Sequence, residues 1–318
     1  MSPSEWGPRE RPLVSIGVPV YNGARYLPGT LDRLLAQDYP HLEVVVSDNA
    51  STDETPAICE RYARKDRRVR YSRAARNVGL VGNFNRAFEL SRGELFMWNS
   101  VTDTRHPSCV RKCVERLLAH PDAVLCYSAA QALTQDGEPQ GEVLREVRGQ
   151  SPDPLVRLRE AIGDVDHYEA IWGVIRADAL RRAGPMVANV SPDALLMAGL
   201  ALLGRFEWID EPLHFLRLRK PETWQEFSQR TLRAVRPGIG PLHRRFPATR
   251  LVLDHLWLCL RVPGPLPERL RRLRVLARAF PYVATSHLQE EWPSPCVSPL
   301  RSVRRAARRR AAGRVDTA

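Results

Sequence analysis

The chain has 318 residues, of which 43% are hydrophobic and 26% charged, and its formal net charge is +12. This length and composition indicate a soluble globular protein with a substantial core, built as one large α/β domain with an appendage or as two smaller domains. No stretch supplies the roughly 18 to 20 uncharged apolar residues that span a bilayer, and the first residues are too polar for a signal peptide, so we expect a cytoplasmic protein.

The first predicted elements are a strand, a helix and a second strand. Residues 13–20 are rich in Val and Ile, and Pro19 and Gly23 break this pattern before leucines recur at helical spacing from Leu27 to Leu35. Pro40 ends that helix, because the position before a proline disfavours helical dihedrals. Residues 42–47 then form the apolar, β-branched run that is typical of a parallel strand covered on both faces.

Strands and helices continue to alternate up to about residue 130, which is the pattern of a doubly wound sheet. A polar loop is predicted over 134–154, and from Arg230 onward the sequence is helical, basic and interrupted by prolines. We interpret that last part as a separate C-terminal helical extension. The remaining predicted elements are strands over 69–72, 95–98, 124–128, about 170–176 and 206–216, and helices over 82–91, 106–119, 155–163 and 192–203.

Basic residues are concentrated near the C-terminus, where Arg recurs among Leu over 269–278 and among Ala over 301–314. Such segments bind acidic membrane surfaces or nucleic acid, and a solvated basic helix is an equal alternative. We expect no nucleic-acid partner and leave open a peripheral contact with the inner face of a membrane. The six cysteines form no CxxC pair with nearby histidines, so buried free thiols are predicted.

Polar side chains gather where the first two strands end. Tyr21 and Asn22 follow the first strand, and Asp48 and Asn49 follow the second. Ligands of an open α/β sheet bind beyond the carboxyl ends of its strands. An unpaired carboxylate at the end of a buried strand would be costly, so we expect Asp48 to accept hydrogen bonds from a ribose hydroxyl or a base amide.

Three segments, residues 14–22, 44–53 and 76–79, resemble in order and spacing the motifs of family 2 glycosyltransferases of the GT-A fold. The resemblance covers roughly residues 13–225 and implies a Rossmann-like, mixed but mainly parallel sheet flanked by helices. It implies a nucleotide-sugar-binding half over 13–130 and an acceptor-binding half over 131–229. Outside them we place an N-terminal tail over 1–12, the helical extension over 230–300 and a basic tail over 301–318.

The resemblance also implies a nucleotide-sugar donor and assigns residues to it. Tyr21 is expected to stack on the base, and Arg76 to close over the diphosphate, since a guanidinium donates two parallel hydrogen bonds to a phosphate. Asn83 and Asn85 lie two residues apart on a helix and so on different faces, and we favour Asn83 for the site. The residues predicted to bind the nucleotide sugar are Pro19, Tyr21, Asn22, Asp48, Asn49, Arg76, Asn77, Gly79, Asn83, Thr102, Asp103 and Lys220.

The chain departs from the family where an acidic pair usually holds a divalent cation. Thr102 stands where the family usually has Asp, so Asp103 alone remains as a doubtful ligand for Mg²⁺ or Mn²⁺. Lys220 stands where family members often carry a His. We interpret these as paired changes, in which a metal ligand is lost and a fixed ammonium stabilises the leaving diphosphate.

Transfer with inversion needs one base to deprotonate the acceptor hydroxyl. The resemblance assigns this role to Asp193, at the start of a helix, where an acidic residue could equally well only complement the helix dipole. Asp164, Asp166 and His167 are reserve candidates. Trp172 and Gly173 lie in a segment that resembles the acceptor region, and Trp172 can stack on a sugar or belong to the core.

The sequence therefore predicts a glycosyltransferase with weak or no metal dependence. Its acceptor would be a saccharide, a lipid-linked compound or a natural product. The alternative is a catalytically inactive nucleotide-sugar binder with a regulatory or scaffolding role, which would keep Tyr21, Asp48 and Arg76 and tolerate the change at Thr102. A nucleotidyltransferase ranks well below both, because the first strand is not followed by a Gly- and Lys-rich phosphate loop.

Overall fold

The computed structural model describes residues 11–134, 136–145, 147–163, 169–189, 191–217, 247–262 and 264–291. Eight strands form one sheet in the order β3-β2-β1-β4-β7-β6-β8-β5. Strands β1 to β4 run parallel, β7 is antiparallel to both its neighbours, and β6 and β8 are parallel. The strands are β1 Val14–Val20, β2 Leu42–Asp48, β3 Val69–Arg73, β4 Leu95–Trp98, β5 Thr104–Arg105, β6 Ala123–Leu133, β7 Val174–Arg176 and β8 Arg205–Arg217.

Helices cover both faces of this sheet, so the predicted mixed, mainly parallel α/β architecture is confirmed. The described helices are α1 Leu27–Leu35, α2 Thr55–Lys65, α3 Gly79–Glu89, α4 Cys109–Ala119, α5 Pro154–Gly163, α6 Ala177–Ala183, α7 Pro192–Leu203, α8 Pro247–Arg261 and α9 Leu266–Glu291. None of them is long and apolar enough to cross a membrane. The five cysteines in the described part of the chain are free and buried, as predicted.

Two apolar cores lie on opposite faces of the sheet. On one face, α1, α2 and α4 pack against the valines of β1 and β2, whose burial on both sides explains their continuous apolar runs. On the other face, α5, α6 and α7 pack around Phe96 and Trp98 of β4. Helices α8 and α9 bury Leu251, Leu258 and Leu276 in this second core. Helices α8 and α9 therefore share a core with α5, α6 and α7, which lie within the predicted acceptor-binding half.

Two predicted elements differ from the structure. Strand β6 continues to Leu133 instead of ending near residue 128, because it pairs with β8 along its whole length. The strand predicted around 170–176 is instead a 3₁₀ turn over Glu169–Trp172, followed by the short strand β7 and helix α6. Gly173 explains the break, since a Cβ there would lie 2.5 Å from the carbonyl oxygen of Cys126 on β6.

Candidate active site

The carboxyl ends of β1 and β2 lie side by side, because Pro19 pairs with Ser47 and Val20 with Asp48 in parallel register. Beyond this edge the side chain of Tyr21 is 51% exposed. The register thus brings Tyr21 and Asp48 to the same end of the sheet, as the sequence predicts. An exposed aromatic ring at this edge offers a stacking surface for a planar ligand.

The loops that follow these two strands are tied to each other through Asn22. Its φ of 51° is in the left-handed region, which Asn tolerates better than most residues. Its backbone N–H donates to Ser51 Oγ at 2.9 Å, and its side-chain Oδ1 accepts from the Thr52 N–H at 2.8 Å. Asn22 therefore fixes the backbone beside Tyr21, and a contact with the nucleotide stays a prediction.

Asp48 is fully buried and has partners within the protein. Its Oδ1 accepts from the Ser51 N–H at 2.8 Å, and its Oδ2 accepts from the Tyr71 hydroxyl at 2.8 Å. Arg73 Nε lies 3.5 Å from the same Oδ2. Asp48 therefore does not need the expected external partner to be buried, because groups of the protein satisfy its carboxylate. Its contact with a ribose or base remains a prediction.

The loop that carries Arg76 is held by side-chain amides. Asn49 is buried and donates through Nδ2 to Asn77 Oδ1 at 2.9 Å and to the Gly79 carbonyl at 3.1 Å. Gly79 has a φ of 82°, a conformation that Gly adopts without strain. Arg76 itself is exposed beside this network. Asn49, Asn77 and Gly79 thus shape the loop, Arg76 is its exposed cationic side chain, and a contact of Arg76 with the diphosphate stays a prediction.

Asn83 joins the two strand ends from below. It is 3% exposed, its Oδ1 accepts from Ser47 Oγ at 2.7 Å, and its Nδ2 donates to the Ser47 carbonyl at 2.9 Å. Asn85, on another face of the same helix, exchanges two hydrogen bonds with the Met186 backbone. Asn83 therefore lies at the strand ends, and its predicted contact with the nucleotide sugar stays a prediction.

Asp103 belongs to a buried cluster that the sequence did not predict. His214 on β8 lies between two carboxylates, with Nε2 3.4 Å from Asp103 Oδ2 and Nδ1 3.1 Å from Glu169 Oε2. Burial disfavours the imidazolium, yet the two carboxylates outweigh it and raise the pKa of His214. Burial likewise opposes the Asp103 carboxylate, but His214 and Arg105 lower its pKa below the ordinary value.

These surroundings do not fit a divalent cation held by Asp103. Its carboxylate is 8% exposed, Thr102 Oγ1 donates to its Oδ1 at 3.0 Å, and the imidazole of His214 faces its Oδ2. Among the residues that the structure describes, no group of three or more His, Cys, Asp or Glu is arranged to hold a metal ion. Cations of this kind prefer several oxygen ligands, whereas Asp103 faces the imidazole of His214 and accepts from the Thr102 hydroxyl.

Arginine is abundant around the same loop. Arg105 is buried and donates through Nε to Asn99 Oδ1 at 2.8 Å, and Arg217, at the end of β8, donates to the Thr102 carbonyl at 2.7 Å. Arg217 thereby brings the end of β8 to the Asp103 loop. Lys220, which follows shortly in the sequence, lies outside the described residues, as do the reserve candidates Asp164, Asp166 and His167.

Asp193 lies in the first turn of α7. Its Oδ1 accepts from the Ala194 N–H at 3.0 Å and from Ser191 Oγ at 3.3 Å, and no cationic side chain of the described residues forms an ion pair with it. Burial raises the pKa of Asp193 above the ordinary value. A carboxylate with a raised pKa is a stronger base than an ordinary one.

The loop before α7 is fixed by a buried chain of hydrogen bonds that reaches α8. Asn189 Oδ1 accepts from the Ser191 N–H at 2.9 Å, and Asn189 Nδ2 donates to Asp254 Oδ2 at 3.0 Å. Asp254 is also paired with Arg250, one turn earlier on α8, at 2.7 Å. The sequence did not predict roles for Asn189, Asp254 or His214. Each is a single polar residue in a largely apolar segment, and nothing in the sequence indicates its partner.

The two residues of the predicted acceptor segment differ in their surroundings. Trp172 is half-buried, with ring centroids 6.2 Å from both Phe84 and His214. Gly173 is buried, and the space for a Cβ is filled by β6. Trp172 therefore lies half-buried next to the His214 cluster, whereas Gly173 permits the close packing of the turn on the sheet.

The curled mixed sheet, with polar residues at the ends of its parallel strands, defines a GT-A fold, and solved structures support this. S. aureus TarS in complex with UDP-GlcNAc is similar with a TM-score of 0.54 and 17% identity, covering 86% of this chain and 82% of that one. The mannosyltransferase PcManGT from Pyrobaculum calidifontis, in complex with GDP-Man and Mn²⁺, has a TM-score of 0.53 and 21% identity, covering 92% of this chain and 83% of that one.

Sequence comparison agrees with this fold. Residues 15–161 match the model of glycosyl transferase family 2. An uncharacterized glycosyltransferase of Rickettsia felis is 32% identical over 46% of this chain, and one of Rickettsia typhi is 37% identical over 30% of it. The matched segments span 24% and 29% of those relatives. The likeness therefore concerns part of this chain and a smaller part of each relative.

Proposed function

We propose that this protein transfers a sugar from a nucleotide-diphosphate sugar to an acceptor hydroxyl with inversion at the anomeric carbon. The observation that carries the proposal is Asp193, a carboxylate with a raised pKa and no described ion-pair partner at the start of α7. The match of residues 15–161 to the family 2 model supports glycosyl transfer on the donor side.

The donor would bind across the ends of β1 and β2. The exposed ring of Tyr21 is available to stack on the base, and the exposed Arg76 is available to the diphosphate. The guanidinium fork matches phosphate oxygens through two parallel hydrogen bonds, which suits this part of the donor. TarS was solved in complex with UDP-GlcNAc and PcManGT in complex with GDP-Man, so both uridine and guanosine donors belong in a first screen.

The chemical step would be a single displacement. Asp193 accepts the proton of the acceptor hydroxyl while its oxygen forms a bond to the anomeric carbon, and the bond from that carbon to the diphosphate oxygen breaks. Attack from the side opposite the leaving group inverts the configuration. Cationic side chains at the donor end, among them Arg76, stabilise the charge that develops on the departing diphosphate. No step is assigned to a metal ion.

Replacing the proposed base tests this function. Asp193→Asn is expected to lower kcat about 10²- to 10⁴-fold while leaving donor binding unchanged, because only proton transfer is lost. The matched control is Asp178→Asn, an exposed acid in the first turn of α6, which is expected to keep full activity. An Asp193→Asn protein with wild-type kcat would refute the assignment.

The raised pKa of Asp193 also predicts the stability of the Asp193→Asn variant. A carboxyl whose pKa is raised on folding binds more protons in the folded state, so its contribution to stability is lost as the pH rises through the folded pKa. Asn cannot ionise, so Asp193→Asn is expected to be at least as stable as the wild type at neutral pH. Thermal unfolding of both proteins measures this.

A catalytically inactive nucleotide-sugar binder is the second candidate, favoured by Thr102 and by the engagement of Asp103 with His214. Thermal-shift measurements with nucleotide sugars, with and without Mn²⁺, identify a donor, because a ligand that binds the folded state raises its apparent stability. A donor that stabilises the protein but is neither transferred nor hydrolysed would identify this second function. Transfer to any saccharide, lipid-linked or natural-product acceptor would exclude it.

A further inference from the structure

Exposed apolar side chains are concentrated on α8 and at the start of α9. In the part of the chain that the structure describes, nine large apolar side chains are strongly exposed, and five of them fall between residues 253 and 270. The other four, which include Tyr21 at the site, are scattered over the molecule. Single exposed apolar residues are ordinary, whereas a concentration of them indicates an interaction surface. The five are Leu253, Trp257, Leu260, Leu266 and Leu270.

Three of these residues form one stripe on α8. Leu253, Trp257 and Leu260 are spaced four and three residues apart, which places them on the same face of the helix, and they are 54%, 53% and 49% exposed. The opposite face buries Leu251 and Leu258 in the core. A helix packed on a core by one face normally shows polar residues on the other, and α8 instead shows apolar residues there.

The segment that carries the stripe is strongly basic. Residues 247–278 contain seven arginines and two acidic residues. Both acids are already paired, Asp254 with Arg250 and Glu268 with Arg272. The guanidinium of Arg261 lies 4.7 Å from the ring centroid of Trp257. Exposed arginines follow along α9 at positions 271, 274 and 278.

We propose that the outer face of α8, together with the start of α9, docks onto an anionic lipid surface. Trp and Leu on one face with Arg at its border is the composition of a helix that lies in a membrane interface, where rings and leucines enter the headgroup boundary and guanidinium groups meet lipid phosphates. A second copy of the chain fits less well, because a symmetric contact would bring the same arginines face to face.

Docking by this face bears on the acceptor. The Asn189 to Asp254 hydrogen bond joins α8 to the loop before Asp193, so a membrane-bound α8 would hold the base close to the lipid surface. The consequence rests on the proposed transferase function and points to a lipid-linked acceptor. Binding to lipid does not depend on glycosyl transfer. Vesicle binding can therefore be measured even if the protein is not a transferase, and transfer can be measured even if the protein does not bind vesicles.

Flotation of the full chain with lipid vesicles tests the proposal. The vesicles contain phosphatidylcholine alone or mixed with phosphatidylglycerol, at low and at high salt. We expect the wild type to bind the anionic vesicles only, and more weakly at high salt. The combined variant Leu253→Gln, Trp257→Gln and Leu260→Gln is expected to bind about tenfold more weakly, because its apolar contact with lipid is lost.

The control replaces an exposed leucine elsewhere. Leu118 on α4 is 40% exposed, and Leu118→Gln is expected to bind vesicles like the wild type. Absence of wild-type binding to anionic vesicles would overturn the proposal, and so would full binding by the combined variant. A wild type that is dimeric in solution, fails to bind vesicles and becomes monomeric in the combined variant would assign the face to a second copy and would also overturn it. Thermal unfolding of each variant verifies that it is folded.

Discussion

At the scale of single residues, the surroundings of Asp103 separate this chain from the metal-binding pattern that its family resemblance implies. A carboxylate beside an Asp would offer two acidic ligands, whereas Asp103 neighbours Thr102 and faces the imidazole of His214. His214 lies between the buried carboxylates of Asp103 and Glu169, and these two carboxylates raise the pKa of His214 and so favour an imidazolium at this position.

Lys220 is predicted to stabilise the leaving diphosphate in place of a metal ion. If a fixed ammonium stabilises the leaving diphosphate, EDTA is expected to leave transfer unchanged, and Lys220→Ala to lower kcat about 10²- to 10³-fold. Steady-state kinetics with the identified donor measure both. Lys65→Ala, at the exposed end of α2, is the matched lysine control. Loss of activity in EDTA, or an active Lys220→Ala protein, would contradict the interpretation.

At the scale of elements, the 3₁₀ turn over Glu169–Trp172 contacts both strand β8 and helix α3. Glu169 contacts His214 on β8, and Trp172 lies beside Phe84 of α3. The turn can pack this closely only because Gly173 has no side chain, with the Cys126 carbonyl and the Tyr127 Cβ at 2.5 Å and 2.9 Å from where a Cβ would be. A single glycine therefore sets the position of the predicted acceptor tryptophan.

Gly173→Ala is accordingly expected to destabilise the fold by about 1–3 kcal/mol, because backbone and side chain of β6 would have to shift. The control is Gly29→Ala on α1, where nothing lies within 4 Å of the added Cβ. That change is expected to be neutral or to stabilise by up to about 1 kcal/mol. Urea unfolding compares the two, and equal midpoints would show that the turn tolerates a side chain.

At the scale of the whole molecule, the C-terminal helices are part of the folded core. Leu258 on α8 is 3% exposed and lies in the same cluster as residues of α5 and α7, so a cavity at Leu258 would also weaken the packing of those two helices. Helix α8 also holds the loop before Asp193 through Asp254. Stability and placement of the proposed base are thus linked to helices that follow the family 2 segment.

Leu258→Ala is therefore expected to cost about 2–5 kcal/mol and to shift the unfolding of the whole described fold as one transition. Leu260→Ala, on the exposed face of the same helix, is expected to change stability little. Circular dichroism and tryptophan fluorescence during urea unfolding measure this. Two separate transitions, with only one shifted by Leu258→Ala, would show that the extension folds independently.

The sequence by itself determined the alternation of strands and helices, the parallel first half and the gathering of Tyr21 and Asp48 at one sheet edge. These features can be predicted because apolar periodicity and the residues that end a strand are local patterns of neighbouring residues in the sequence. The sequence also showed that Thr102 departs from the acidic pair of the resembled family, because the two residues of that motif are adjacent in the chain.

Only the tertiary structure decided which polar groups meet. His214, Asp103 and Glu169 are far apart in the chain and come together because β8, the loop after β4 and the 3₁₀ turn converge. The same holds for Asn189 and Asp254, and for the partners that Asp48 finds in Tyr71 and Arg73. The burial and pairing of charged groups depend on contacts between residues that are distant in the sequence, and local sequence patterns do not predict such contacts.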